Sequence, residues 1–442
     1  MKSAIVACLL LSALAAGQVL TRTAETEVPV GYIVELPAGY DSARTYPLVV
    51  AIHGFGDRME AYIGTNSRLC PEGAIGLYPE SPYPMLSEKE GPPGFTWEVW
   101  TDSTHWLQGE ATAEASIRWI LDAIHRVKQE YKVDPAGVFL FGFSQGGFLT
   151  FEVGLRDPEL FAGLLPAGGW LPWDSAGALN REALRTPIRI LHGVNDDVCE
   201  FDAAQKAYDT LKSRGAPVEL MRYPAKHQLT RELFEDARDF VWCVLHEHDR
   251  QPLSGLLLTE EVLTEEERLD RLQYVLCATE SNDEVANILL GQYEQAPLSV
   301  KVKTIYLLGA RRCVSAEEFL RDVLWSADGI PSVPELRRAA FSALVKMATE
   351  YAWEIVEKTE MEVAVRDVVP GGQAESVGLR PGDIILSYDG KTIGSPEDIR
   401  AAKSEVAEDQ EEVVVVVRRG TEELGLIMKP GSVGIWTEEQ PK

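Results

Sequence analysis

A chain of 442 residues has room for two to four domains at roughly 100 to 200 residues each, and every one of them can bury its own core. With 45% hydrophobic and 25% charged residues, the composition excludes a disordered tract or a collagen-like fibre. Against 42 Lys and Arg stand 69 Asp and Glu, a formal net charge of -27 with no basic block to interrupt it, which argues against nucleic acid or an anionic membrane as partner.

In chain order, Lys2 precedes an apolar run from Ala4 to Leu14 broken only by Ser12, and Ala13-Leu14-Ala15 supplies a small-x-small cleavage pattern. Residues 1–15 therefore read as a signal peptide, and the protein is expected to be secreted or periplasmic. The run is shorter than the roughly 20 residues a bilayer span needs, and no later stretch reaches that length, so no integral membrane segment is expected. Cys8 leaves with the signal. The remaining Cys70, Cys199, Cys243, Cys277 and Cys313 form no Cys-x-x-Cys pair. No metal site is expected of them, and buried free thiols and one or two disulfides both stay open.

From Val30 to His248 short apolar runs alternate with amphipathic segments. Leu48 to Ile52, Val138 to Phe141, Ile188 to Leu191 and Val218 to Met221 read as strands; Ala113 to Tyr131 and Phe201 to Arg214 carry apolar residues at helical spacing. That pattern predicts a parallel α/β domain over 26–250, with Asp249 to Gly255 as its exit linker.

The strand Val138 to Phe141 runs into Gly142-Phe143-Ser144-Gln145-Gly146-Gly147 and then a helical segment. A G-x-S-x-G sequence between strand and helix is a nucleophile elbow, with Ser144 on a strained turn and glycines where side chains would collide. The base and its orienting acid are expected later in the chain. Asp196, in the loop His192-Gly193-Val194-Asn195-Asp196-Asp197, is the expected acid, with Asp197 the alternative; His227, after Pro224-Ala225-Lys226, is the expected base. Upstream, His53-Gly54-Phe55-Gly56-Asp57 makes a turn whose Phe55 N–H, with the Gln145 N–H, can serve as an oxyanion hole. His53 shapes that turn and is not a second base.

These residues resemble the phospholipase/carboxylesterase branch of the α/β-hydrolases, which includes acyl-protein thioesterases and, more distantly, feruloyl-esterase-like enzymes. The resemblance covers about 220 residues through the HGFGD turn, Val133-Asp134-Pro135 leading to VFLFGFSQGG, the LHGVND loop and the late His. It implies Ser144 as nucleophile, Asp196 as acid and His227 as base, with no cofactor. One departure stands out: many relatives have Gly before the catalytic His, and here Lys226 puts a cation there. Trp170, following an expected strand end, is expected to contact substrate; Trp97, Trp100, Trp106 and Trp173 read more simply as core. His246 and His248 fall where a helix ends and meet terminal carbonyls on this reading, and His105 and His125 carry no motif.

Residues 256–357 are almost entirely helical in pattern. Val300 to Ala310 matches Leu336 to Lys346 at an offset of 36 residues, which resembles HEAT-type repeats, a generic helical bundle being the alternative. From Met361 strands return. Val369-Pro370-Gly371-Gly372-Gln373-Ala374, Gly378-Leu379-Arg380-Pro381-Gly382-Asp383-Ile384-Ile385-Leu386 and Asp389-Gly390-Lys391 resemble a bacterial PDZ domain, assigned to 358–436. No Gly-containing loop precedes its first strand, whereas Gly431-Ser432-Val433-Gly434-Ile435 follows its last. Two readings stay open: a permuted order in which this C-terminal segment forms the strand facing the helix near Pro396, or a frayed tail.

The expected architecture is an α/β-hydrolase domain, a helical HEAT-like spacer and a small β-rich PDZ domain. The expected activity is that of an exported serine hydrolase cleaving carboxylic esters through an acyl-enzyme, with an acyl ester as substrate and a peptide or protein as possible PDZ ligand. The alternatives are a prolyl-oligopeptidase-like serine peptidase and an inert scaffold that binds peptides.

Overall fold

The computed structural model describes residues 30–85, 94–98, 106–171, 184–247, 253, 263–325, 334–349, 354–355, 361–368, 372–407, 410–420, 422–430 and 435–441. The expected signal peptide lies outside them, as do Trp100, Trp173, His105, His248 and the Gly431 to Gly434 segment.

The first unit is built on strands β1 (Tyr32–Glu35), β2 (Tyr46–Ile52), β3 (Ile75–Pro79), β6 (Val133–Phe143), β7 (Gly163–Ala167), β8 (Ile188–Gly193) and β9 (Val218–Tyr223), a two-residue ribbon of β4 (Tyr83–Pro84) and β5 (Phe95–Thr96) lying between β3 and β6. They form one sheet in the order β1-β3-β2-β6-β7-β8-β9. Every pair is parallel except β1 on β3. The helices are α1 (Thr65–Leu69), α2 (Trp106–Glu130), α3 (Gln145–Arg156), α4 (Phe201–Ser213) and α5 (Arg231–Leu245). Period-two alternation divides the core between the two faces. Leu48, Val50 and Ile52 pack with Ile120 and Ile124 of α2 and Leu149 of α3, whereas Val49 and Ala51 pack with Leu69 of α1 and Phe234 and Ala237 of α5. A sheet covered on both faces explains why its strands read as continuous apolar runs.

The helical region contains α6 (Glu265–Gln273), α7 (Asn282–Gly291), α8 (Leu298–Ala310), α9 (Glu317–Trp325) and α10 (Pro334–Met347). Capping boxes start α6 at Thr264 with Glu267 and α7 at Ser281 with Glu284. The two segments matched in sequence are α8 and α10, and they pack so closely that a Cβ on Gly309 would stand 2.4 Å from the Ala343 Cα.

Rather than hanging from a linker, this region sits directly on the hydrolase unit. Leu253, expected in the linker, is buried among the helices and its N–H donates to Glu280 Oε1 at 2.7 Å. Cys243 of α5 is disulfide-bonded to Cys277, while Cys70, Cys199 and Cys313 are buried free thiols. Three buried acids on α5 face the helices. Glu235 Oε2 lies 2.8 Å from Lys346 Nζ, Asp236 Oδ2 lies 2.8 Å from an Arg312 guanidinium nitrogen, and both Asp239 oxygens accept from Tyr306 OH at 2.6 Å. Arg238 donates to the same Tyr306 oxygen at 2.9 Å, and Lys346 Nζ sits 4.4 Å from the Tyr306 ring centroid.

The last unit carries β10 (Met361–Val368), α11 (Gln373–Ser376), β11 (Ile384–Tyr388), β12 (Lys391–Thr392), α12 (Pro396–Ser404), β13 (Val413–Arg419), β14 (Glu422–Met428) and β15 (Ile435–Pro441). Its sheet runs β14-β13-β11-β10-β15, with β12 on β11. The C-terminal segment is thus a strand rather than a frayed tail: β15 pairs antiparallel with β10, Val363 opposite Glu439, and lies against α12 as the permuted order requires. It also touches α10.

Candidate active site

At the end of β6 the chain turns sharply into α3, and Ser144 takes φ 58° and ψ -119°. A non-glycine residue there costs on the order of 1–3 kcal/mol, a strain kept where the surroundings fix it. The fixing contacts are visible: the Ser144 N–H donates to the Ala167 carbonyl at 2.9 Å, a Cβ on Gly142 would come within 2.2 Å of the Gly146 carbonyl oxygen, and one on Gly146 within 2.2 Å of that of Ile52. Neither glycine can be replaced without opening the turn. Gly54 lies beside Ser144, where a Cβ would stand 3.4 Å from the serine Cβ.

Phe55 follows Gly54 on the loop after β2, and Gln145 opens α3 directly after the serine. Among the described residues neither backbone N–H donates to a protein partner. The Gln145 side chain is pinned away from the site, its Oε1 accepting from the Trp97 N–H at 3.0 Å and from Thr96 Oγ1 at 3.2 Å. The Phe55 ring is exposed. Beneath the turn, His53 is fully buried; its Nδ1–H donates to the Gly54 carbonyl at 2.8 Å and its Nε2 accepts the Ser81 N–H at 3.2 Å, with Glu80 Oε1 at 3.1 Å from the same nitrogen. Both nitrogens serve the loop, as the sequence predicts. Trp97, read as core, is fully buried and donates Nε1–H to the His53 carbonyl at 2.9 Å. Next to it, burial, together with the Glu152 charge, pushes the Glu98 carboxyl up to about 7.

Asp196 and His227 meet at the C-terminal ends of β8 and β9. His227 Nδ1–H donates to Asp196 Oδ2 at 2.7 Å. The other oxygen, Oδ1, accepts the Val198 and Cys199 N–H groups at 2.9 and 2.7 Å, so the carboxylate cannot rotate freely. Asp197 points into solvent. The His227 ring lies on Phe143, centroids 4.7 Å apart, and a Cβ on Gly168 would approach its Cε1 to 3.4 Å. Lys226 is exposed and, among the described residues, makes no ion pair. Ser144 Oγ adjoins the buried Cys199 thiol, which is pushed up to about 11 by burial and by the Asp196 charge. Trp170 is half-buried with its ring 5.3 Å from that of Phe148. His246 stacks on Trp242 and donates Nδ1–H to that residue's carbonyl at 2.9 Å, while His125 does the same toward Leu121 at 2.7 Å. Among the described residues no group of three or more His, Cys, Asp or Glu side chains converges as a metal site.

An activatable hydroxyl, a held imidazole and two free N–H groups can support acyl transfer. The profile of the phospholipase/carboxylesterase family matches residues 41–245. The match spans a little under half of the chain. The chain is accordingly a hydrolase of the carboxylesterase type, and residues 365–419 match a PDZ domain. A probable carboxylesterase of Oryza sativa subsp. japonica is 29% identical over 212 residues, 45% of this chain and 78% of that protein. The carboxylesterase SOBER1 of Arabidopsis thaliana is 29% identical over 192 residues, 41% of this chain and 82% of that one. In a solved structure of SOBER1, the match has 24% identity and a TM-score of 0.39, covering 45% of this chain and 99% of that chain.

What sequence reasoning missed around this carboxylesterase-type site is its supporting ring. Phe143, Gly168, Cys199 and His192 lie beside Asp196, His227 or Ser144. Phe143 and His192 had a signal, the first inside the G-x-S-x-G stretch and the second four residues before Asp196 in the same loop motif.

Proposed function

We propose that the chain is an exported serine hydrolase that cleaves carboxylic esters through an acyl-enzyme on Ser144. The observation that carries this reading is the strained Ser144 elbow beside an Asp196–His227 pair bonded at 2.7 Å. In the proposed cycle His227 Nε2 takes the Ser144 proton as Oγ attacks the ester carbonyl. The Phe55 and Gln145 N–H groups hold the oxyanion, and collapse expels the alcohol, which receives the proton from His227. A water molecule, deprotonated by His227, then attacks the acyl-Ser144 carbonyl; the acid leaves and Ser144 regains its proton. Asp196 keeps the imidazole in the tautomer this requires. Trp170 contributes to the acyl-side wall.

Export is supported by the Lys2 to Ala15 pattern and by the Cys243–Cys277 bond, which persists in an oxidising compartment. The PDZ unit is proposed to recruit a peptide or protein, since a strand beside a helix is the geometry that adds an extended segment. The test is Ser144→Ala, scored on p-nitrophenyl esters and by fluorophosphonate labelling. Loss of both with an unchanged circular dichroism spectrum is expected; a labelled or active variant overturns the reading, and turnover of amide but not ester substrates by the wild-type chain would favour a peptidase.

A further inference from the structure

Residues 95–97, a short segment that no step of the proposed cycle uses, are bonded to both of the elements that carry the proposed oxyanion donors. On the side of the loop after β2, the Phe95 carbonyl accepts the Gly56 N–H at 2.8 Å, the Phe95 N–H donates to the Asp57 carbonyl at 3.0 Å, and the Trp97 Nε1–H donates to the His53 carbonyl at 2.9 Å. The two backbones lie so close that a Cβ on Gly94 would collide with the Gly56 carbonyl. On the side of α3, the Trp97 N–H donates to Gln145 Oε1 at 3.0 Å and the Gln145 Nε2–H donates to Thr96 Oγ1 at 3.1 Å. The segment is itself anchored. The Thr96 carbonyl accepts the Ser81 Oγ–H, and the Trp97 carbonyl accepts the Ser116 Oγ–H of α2 at 2.7 Å.

We infer that residues 95–97 are a strut that sets the spacing of the Phe55 and Gln145 N–H groups, with the Gln145 side chain and the Trp97 indole as positioning groups for the oxyanion. This rests on the serine-hydrolase reading of the site. Phe55 stands between Gly54 and Gly56, and Gly56 has φ 75°, so the loop's own residues restrain the Phe55 N–H weakly. Three bonds, at His53, Gly56 and Asp57, flank it instead, and all three run to residues 95–97. Gln145 opens α3 directly after Ser144, so its amide side chain ties the first turn of that helix to the same strut. Trp97 is fully buried and the Gln145 amide is turned toward Thr96, so both side chains act through the backbone they hold and not on substrate. Oxyanion donors work by placement, and a misplacement on the order of 1 Å can cost about a hundredfold in rate.

The experiment is a double-mutant cycle on the full chain, read by ester hydrolysis and by the rate of fluorophosphonate labelling. Gln145→Met keeps the side-chain volume and the backbone N–H but loses both bonds to the strut. Its kcat per folded molecule is expected to fall roughly ten- to a hundredfold with KM changed less than about twofold, because the oxyanion forms only after the ester is bound. Trp97→Phe loses the indole N–H and is expected to act in the same way. Since both break one strut, the double variant is expected to lose about as much as the worse single variant, not the product of the two losses. Labelling should slow along with kcat, the phosphoryl oxygen occupying the same hole. A raised KM at unchanged kcat, labelling at the wild-type rate, or a double loss equal to the product overturns the inference. Should Trp97→Phe not fold, Thr96→Val, which removes the hydroxyl that meets the Gln145 Nε2–H, takes its place in the cycle. If Ser144→Ala keeps its activity, the hydrolase reading fails; if Ser144 is labelled but Gln145→Met labels no more slowly, the strut alone fails, so the two failures are distinguishable.

Discussion

The acid at the candidate active site and those on α5 are buried alike but held by opposite kinds of partner. Asp196 receives neutral donors, the His227 imidazole and two backbone N–H groups, which suits the orienting role proposed for it. Glu235 and Asp236 face Lys346 and Arg312, which remain cationic, and both carboxyls are held down at about 2 despite the opposing cost of burial. Asp239, with a phenol as its partner, goes the other way and is raised by burial. The lesson is that a buried carboxylate does chemistry when its partners can exchange protons and holds domains together when they cannot.

The comparison can be broken first at its catalytic end. Asp196→Asn is expected to lower kcat by roughly three to four orders of magnitude, because the amide favours the wrong His227 tautomer, while the melting temperature changes little. Steady-state kinetics beside calorimetry read both. Lys346→Met should do the reverse, costing about 3–5 kcal/mol of stability by leaving Glu235 and Asp236 short of a counter-charge, with kcat per folded molecule retained. Denaturant titration measures it, and adding Glu235→Gln to Lys346→Met should recover part of the loss.

A thiol reductant sharpens the same boundary. The Cys243–Cys277 bond closes a separation of 34 residues, so reduction is expected to remove up to about 4 kcal/mol and to make the helical region unfold before the hydrolase unit. Differential scanning calorimetry with and without reductant should split one transition into two.

Acid provides a further separation. Glu235 and Asp236 are depressed in the folded chain, so their stabilisation is complete above the unfolded carboxylate range near about 4 and is lost as pH falls through about 2. Asp239 opposes this, its raised value making it a small gain on acidification. Loss of the interface, followed by fluorescence-monitored acid unfolding, is therefore expected only as the pH falls toward about 2. The smallest expected effect is at Lys226: Lys226→Gly should change kcat/KM for neutral esters less than about threefold but weaken discrimination in favour of anionic ones at low salt.

How much was legible in the sequence follows the same division. The strained turn at Ser144 and the meeting of Asp196 with His227 were readable because steric demands tie them to short motifs: glycines that cannot carry a Cβ, and a loop at a strand end. The separation of Asp196 from Asp197 needed the backbone, since only the fold shows which carboxylate turns inward. Glu235, Asp236 and Asp239 look in sequence like the polar face of an amphipathic helix, and nothing local distinguishes solvent from a distant Lys346, Arg312 and Tyr306 as the partner. The disulfide was invisible for the same reason, its cysteines lying on separate units. The permuted PDZ order was half legible: glycines placed the loop, but the pairing of β15 with β10 is a long-range fact.

That pairing also sets a schedule. Since β10 has β15 as its partner, with Val363 opposite Glu439, the strand edge that β15 covers stays open during synthesis until β15 has left the ribosome. The hydrolase and helical units can settle first, and β15 arrives against both β10 and α10. A nascent chain halted before Ile435 would expose an unpaired β10 edge, the kind of surface that chaperones and proteases recognise.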